Sequence, residues 1–83
     1  MDINVQILFF ANLRERFQKT SCNLTLPPGT KAGKLFEFLF SDKEEAEQWS
    51  RFTRLAVNQS YVTADTPLKN GDEVALIPPV AGG

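Results

Sequence analysis

The last six residues, Pro78-Pro79-Val80-Ala81-Gly82-Gly83, are the part of this sequence whose residue types could do chemistry. Two consecutive prolines offer no N–H donors to a sheet and favour an extended, polyproline-like path. At about 3.3 Å per residue the segment spans about 20 Å. Gly82 and Gly83 have no Cβ atoms, so their backbone can thread a channel too narrow for other residues. A terminal carboxylate, with an ordinary pKa near about 3.5, is ionised at neutral pH and is a poor electrophile. An acyl adenylate formed with ATP supplies a leaving group. A sulfur donor can then convert the carboxylate into a thiocarboxylate, whose sulfur is soft and nucleophilic. That route needs no histidine, and the chain has none.

Composition excludes most other chemistry. Without histidine there are no Ser-His or Cys-His nucleophile pairs and no His-based zinc site. Cys22 is the only cysteine, which rules out an intrachain disulfide and a multi-cysteine metal cage. It shares a face with Leu24 and Leu26 and reads as a small buried hydrophobe rather than a relay thiol. Glu44, Glu45 and Glu47 read as helix-terminal and surface charges, so no metal site is expected. Nine Lys plus Arg against ten Asp plus Glu leave no basic excess to hold nucleic acid or an anionic membrane. The longest apolar run, Ile7 to Ala11, is far short of the about 20 residues of a membrane-spanning helix. Asp2, Asn4 and Gln6 interrupt the region where a secretory signal would begin, so a cytoplasmic protein is expected.

A chain of 83 residues fits one domain, and its elements can be read from periodicity. Ile3, Val5, Ile7 and Phe9 share one parity of a first strand, with Leu8 and Phe10 on the other face at its end. Ala11 to Lys19 reads as a short helical or irregular connection in which Arg14, Arg16 and Lys19 are most simply solvated. Cys22, Leu24 and Leu26 alternate in a second strand, stopped by Pro27-Pro28-Gly29, and the two strands most simply pair antiparallel. Thr30 is placed as the N-cap of the main amphipathic helix, whose apolar stripe is Ala32, Leu35, Phe36, Leu39 and Phe40. Ser41 or Asp42 caps a further short helix in capping-box spacing with Glu44 and Glu45. Its apolar marks are Ala46 and Trp49, the latter read as core or core edge.

Leu55 to Val57 forms a short strand, Asn58-Gln59-Ser60 a turn before Tyr61 and Val62, and Asn70-Gly71 a turn into a last strand from Glu73 to Ile77. Strands, helix, then strands predict an α+β fold, a mixed sheet with one main helix across one face. A crossover between the outer strands of the sequence would make their pairing parallel. This is the order of the ubiquitin-like β-grasp, with residues 1–77 as the domain and 78–83 as an extended tail. Phe10 and Ile77, with Tyr61 as a third, fall on the sheet face that the helix leaves open. Grouped beside a reactive tail, they read as a docking surface.

Several stretches carry a family resemblance. Ile7-Leu8-Phe9-Phe10-Ala11 with Leu13-Arg14-Glu15, Ala56-Val57-Asn58, and Gly71-Asp72-Glu73-Val74-Ala75 running into Ile77-Pro78-Pro79-Val80-Ala81-Gly82-Gly83 resemble the small subunit of molybdopterin synthase. The resemblance covers the whole chain and is strongest at its two ends, while Gln18 to Phe52 carries no matching motif. It implies adenylation of Gly83 by a ubiquitin-activating-like adenylyltransferase that uses ATP, and thiocarboxylation with a sulfurtransferase. It further implies that the tail, Pro78 to Gly82, threads into the large catalytic subunit of a heterotetrameric synthase. There the sulfur passes to a cyclic pyranopterin precursor. Catalytic side chains are then expected on the large subunit, with no cofactor bound permanently by this chain, and Arg14 joins Phe10, Tyr61 and Ile77 as an interface residue. A sulfur carrier for thiazole shares the fold and the Gly-Gly end but usually lacks Pro-Pro. A ubiquitin-like modifier would form an isopeptide at Gly83, and a plain interaction module would do no tail chemistry.

Overall fold

A computed structural model of the chain describes residues 1–79; the tail residues Val80, Ala81, Gly82 and Gly83 lie outside the described part. Five strands form one mixed sheet in the order β2-β1-β5-β3-β4, where β1 is Ile3–Phe9, β2 Ser21–Leu26, β3 Arg54–Val57, β4 Ser60–Val62 and β5 Glu73–Ile77. The β1 and β2 strands pair antiparallel, while β1 and β5 pair parallel at the centre. This is the expected β-grasp order. Alternation in β1 behaves as read, with Val5, Ile7 and Phe9 buried in the core and Leu8 half-buried on the other face. Cys22, set opposite Ile7, is half-buried and packs against the core with Leu24, and burial pushes its thiol pKa up.

The helical cover is divided differently from the expected single main helix. Ala32–Lys34 forms a 3-10 turn, a short helix α2 covers Leu35–Leu39, and Phe40 is already extended, although its ring stays in the core. Thr30 does not cap it: its hydroxyl donates to the Pro27 carbonyl at 2.6 Å, and Lys31 stands at the N-cap position without a side-chain bond. Instead, the Ala32 and Gly33 N–H groups donate to the carbonyls of Thr66 and Ala64, at 2.8 and 2.9 Å. The orphan donors of the first turn are thus satisfied by a neighbouring loop, and that docking takes the place of a capped helix start.

The longest helix is α3, Lys43–Phe52, and Asp42 caps it as expected by accepting from the Glu44 N–H at 2.9 Å. A first helix, α1, spans Ala11–Phe17 and buries Leu13. Among the described residues no helix is long and apolar enough to cross a membrane.

Hairpin chemistry locks the far end of the sheet. Asn58 and Gln59 both take positive φ, 51° and 73°, which gives a two-residue turn matched to strand twist. The Asn58 amide donates to Asp72 at 3.0 Å and its oxygen accepts from the Glu73 N–H at 3.1 Å. Asp72 is buried and accepts also from the Lys69 N–H at 2.8 Å. Two separated stretches of the family resemblance, Ala56-Val57-Asn58 and Gly71-Asp72-Glu73, are therefore one hydrogen-bonded unit holding β3 to β5.

Candidate functional site at the base of the tail

Topology gathers the site. Because β1 and β5 run parallel, both end on the same sheet edge, and β3, antiparallel to β5, begins there. The edge therefore collects Phe10 after β1, the Phe52-Thr53-Arg54 junction between α3 and β3, and Ile77-Pro78-Pro79 after β5. Pro78 is buried and Pro79 exposed, so the chain emerges between the two prolines.

The open sheet face is apolar along one row. Cα partners Leu8, Ala75, Ala56 and Tyr61 lie across four strands, and Ile77 pairs with Arg54 one row nearer the tail. Tyr61 is 67% exposed and Phe10 41%, while Ile77 is half-buried. The Arg54 guanidinium lies over the Tyr61 ring, 5.6 Å from its centroid, a cation–π contact.

Two hollows flank the emerging tail. One, of about 300 Å³, is lined by Phe52, Arg54, Tyr61, Ile77, Pro78 and Pro79. The other, of about 320 Å³, lies on the helix side between Asn12, Glu45, Gln48, Trp49, Phe52 and the same two prolines. The structure thus brings Ile77 and Tyr61 together beside Pro78 and Pro79. Phe10 lines neither hollow; it occupies the N-cap position of α1, level with Ile77 if the β1–β5 register is carried one residue on. Arg14 is exposed on α1 and makes no ion pair among the described residues.

Phe52 and Arg54 escape the sequence reading. Phe52 stands three residues after Trp49 and so looks like a continuation of the α3 core stripe, yet it is 65% exposed because the chain leaves the helix at Thr53. The available signal is the single residue between that helix and β3, too short to let the last turn bury its side chain.

Arg16 is exposed, as expected of a solvated residue, but it is not without a partner. It makes a two-pronged ion pair with Glu45, at 2.8 and 3.0 Å, and its guanidinium lies 5.6 Å from the Phe17 and Phe40 centroids. The hydrogen bond to Arg16 holds the Glu45 carboxyl below the usual carboxylate range, and Trp49 Nε1 donates to the same carboxylate at 3.4 Å. A surface charge in the sequence is a clamp between α1 and α3 in the fold.

Among the described residues no group of His, Cys, Asp or Glu could hold a metal ion, and the one thiol, Cys22, is shifted away from its thiolate. What the site offers is an exit at Pro78 and Pro79 bordered by the exposed rings of Phe52 and Tyr61. A β-grasp domain with such an exit beside its central strand is the class of protein that the fold and this edge define.

Comparison with known proteins fits that class. Residues 7–83 match the model of the ThiS family. The molybdopterin synthase sulfur carrier subunit of Mycobacterium tuberculosis is 35% identical over 82 residues, 98% of this chain and 99% of that protein. A chain from the protein–protein complex of subunits 1 and 2 of the molybdopterin-converting factor of Helicobacter pylori superposes with a TM-score of 0.61 at 26% identity, covering 98% of this chain and all of that one. A ubiquitin from Caldiarchaeum subterraneum, 15% identical with a TM-score of 0.65 and full coverage of both chains, shares the fold. The chain belongs to the ThiS family of β-grasp proteins, in which it groups with the molybdopterin synthase sulfur carrier subunits.

Proposed function

We propose that this chain is a cytoplasmic sulfur carrier subunit of a molybdopterin synthase, with Gly83 as the site of its chemistry. The observation that carries this reading is Pro78-Pro79 leaving the end of a central strand between two hollows, followed in the sequence by Val80-Ala81-Gly82-Gly83, in a ThiS-family chain. Attack of the Gly83 carboxylate oxygen on the α-phosphate of ATP, on an adenylating partner, expels diphosphate. Hydrosulfide released by a sulfurtransferase then attacks the acyl carbon, expels AMP and loses its proton, which leaves the thiocarboxylate. With residues 1–77 held as the domain, the tail from Pro78 carries that sulfur into the large subunit, where a cyclic pyranopterin precursor accepts it. Phe10, Tyr61, Ile77 and Arg14 supply the surface that both partners hold.

The experiment is intact-mass analysis after incubation with ATP, a sulfur source and the adenylating partner. The expected product gains the mass of oxygen replaced by sulfur, mapped to Gly83. High-mass covalent ladders under denaturing conditions, with no thiocarboxylate, would overturn the carrier reading in favour of a modifier.

A further inference from the structure

The geometry points to a docking surface that wraps from the open sheet face over Phe52 onto α3. We propose that the large synthase subunit straddles Phe52, packs apolar side chains into the hollows on both its sides, and sets a carboxylate against Arg54. The inference rests on the carrier reading for the identity of that partner, and goes beyond it in assigning Phe52 and Arg54, which lie outside the sheet-face set.

Both hollows share Phe52, Pro78 and Pro79, so Phe52 is a ridge dividing one continuous trough. A protein that holds the tail from Pro79 outward passes along walls that the prolines themselves form. The partner surface is therefore continuous with the trough. Phe52 leaves most of its ring in water at 65% exposure, and a projecting aromatic between desolvatable hollows is the arrangement from which binding hot spots are built.

Charge settles what each hollow takes. Arg16, Lys34 and Arg51 are paired within the chain to Glu45, Glu37 and Glu47; Arg54, like Arg14 and the other lysines, makes no ion pair among the described residues, and of these unpaired cations it is the one that lines a hollow at the tail exit. Its guanidinium lies over Tyr61 on an exposed residue that lines the sheet-side hollow, where a carboxylate from outside can reach it. On the helix side the Glu45 carboxylate is occupied by both nitrogens of Arg16, so Trp49, Phe52 and the prolines receive apolar groups while Asn12 and Gln48 form the polar part of the lining.

Trp49 lines the helix-side hollow and is the only tryptophan, so fluorotryptophan incorporation gives one fluorine NMR reporter. On titration with the cognate large subunit, the resonance should shift as the hollow is covered. Phe52→Ala should keep the wild-type melting temperature and weaken binding about tenfold or more, since the ring is exposed in the free chain. Arg54→Glu should weaken binding more than Arg54→Lys, because a carboxylate opposite is repelled by the first and still paired by the second.

Phe52→Ala binding at wild-type affinity, or an unmoved fluorine resonance on a formed complex, overturns this inference and leaves the carrier reading standing. Arg54→Glu binding as tightly as wild type overturns the assigned carboxylate. Failure of the wild-type chain to bind the large subunit at all overturns both readings together.

Discussion

Gly33 has no room for a side chain. A Cβ at this position would lie 2.7 Å from the Ala64 Cβ and 3.2 Å from the Ala64 carbonyl oxygen, where its own N–H donates at 2.9 Å. Gly33→Ala should therefore cost about 1 to 3 kcal/mol by overpacking. Thermal unfolding should show the loss, and Ala64→Gly in the same chain should restore part of it. An unchanged midpoint in the single variant would count against the close approach. For Gly82 the proposed function sets a different kind of constraint, one imposed by partners. Under the carrier reading, Gly82→Ile should leave the thermal midpoint near wild type and stop thiocarboxylate formation or sulfur transfer, because a branched Cβ blocks a narrow channel and stiffens the backbone. Binding should fall less than turnover, since a misplaced reacting atom is costly in rate. A Gly82→Ile chain converting precursor at the wild-type rate would sink the threaded tail.

Between elements, the clearest link is the Arg16–Glu45 pair joining α1 to α3 beneath the helix-side hollow. Pairing lowers the Glu45 pKa in the folded state, so its contribution to stability is fully present above the ordinary 4.5 and is lost as pH falls through the lower folded value. Glu45→Gln should melt below wild type at neutral pH, and the two melting curves should converge on acidification. Parallel midpoints across the acid limb would show that the clamp contributes nothing; the exposure of the pair keeps the expected gap small. The same clamp explains why α3 keeps its length. Its N-terminus is capped by Asp42, its first turn is tied to α1, and Trp49 stacks on Phe40 at 6.2 Å between centroids.

For the whole molecule, the carrier reading has an assembly consequence. Phe10→Ala with Ile77→Ala should leave the fold largely intact and weaken binding to both the adenylating enzyme and the large subunit. Each removes the apolar area that the fold leaves exposed on a partly buried side chain, a fraction of the about 1.5 to 3 kcal/mol of a fully covered one. The two partners should compete in a pull-down, and a ternary complex holding both would contradict a shared face. Much of this architecture is legible in the residues. Period-two alternation in β1 and β5, the Asn58-Gln59 turn, the Asp42 cap and the proline stop after Ile77 are short-range consequences of backbone sterics and side-chain parity, so they are written locally. Helix length over Ala32 to Phe40, the pairing of Arg16 and the exposure of Phe52 depend instead on Ala64, Glu45 and the Thr53 junction. The first two of those are distant in the chain and meet their targets only when the sheet closes. Sequence alone determined a β-grasp whose last strand is stopped by Pro78-Pro79. Only the tertiary structure decided what frames the exit at Pro78, because the antiparallel β3–β5 pairing, which sets Arg54 beside Ile77, brings the α3–β3 junction to that edge.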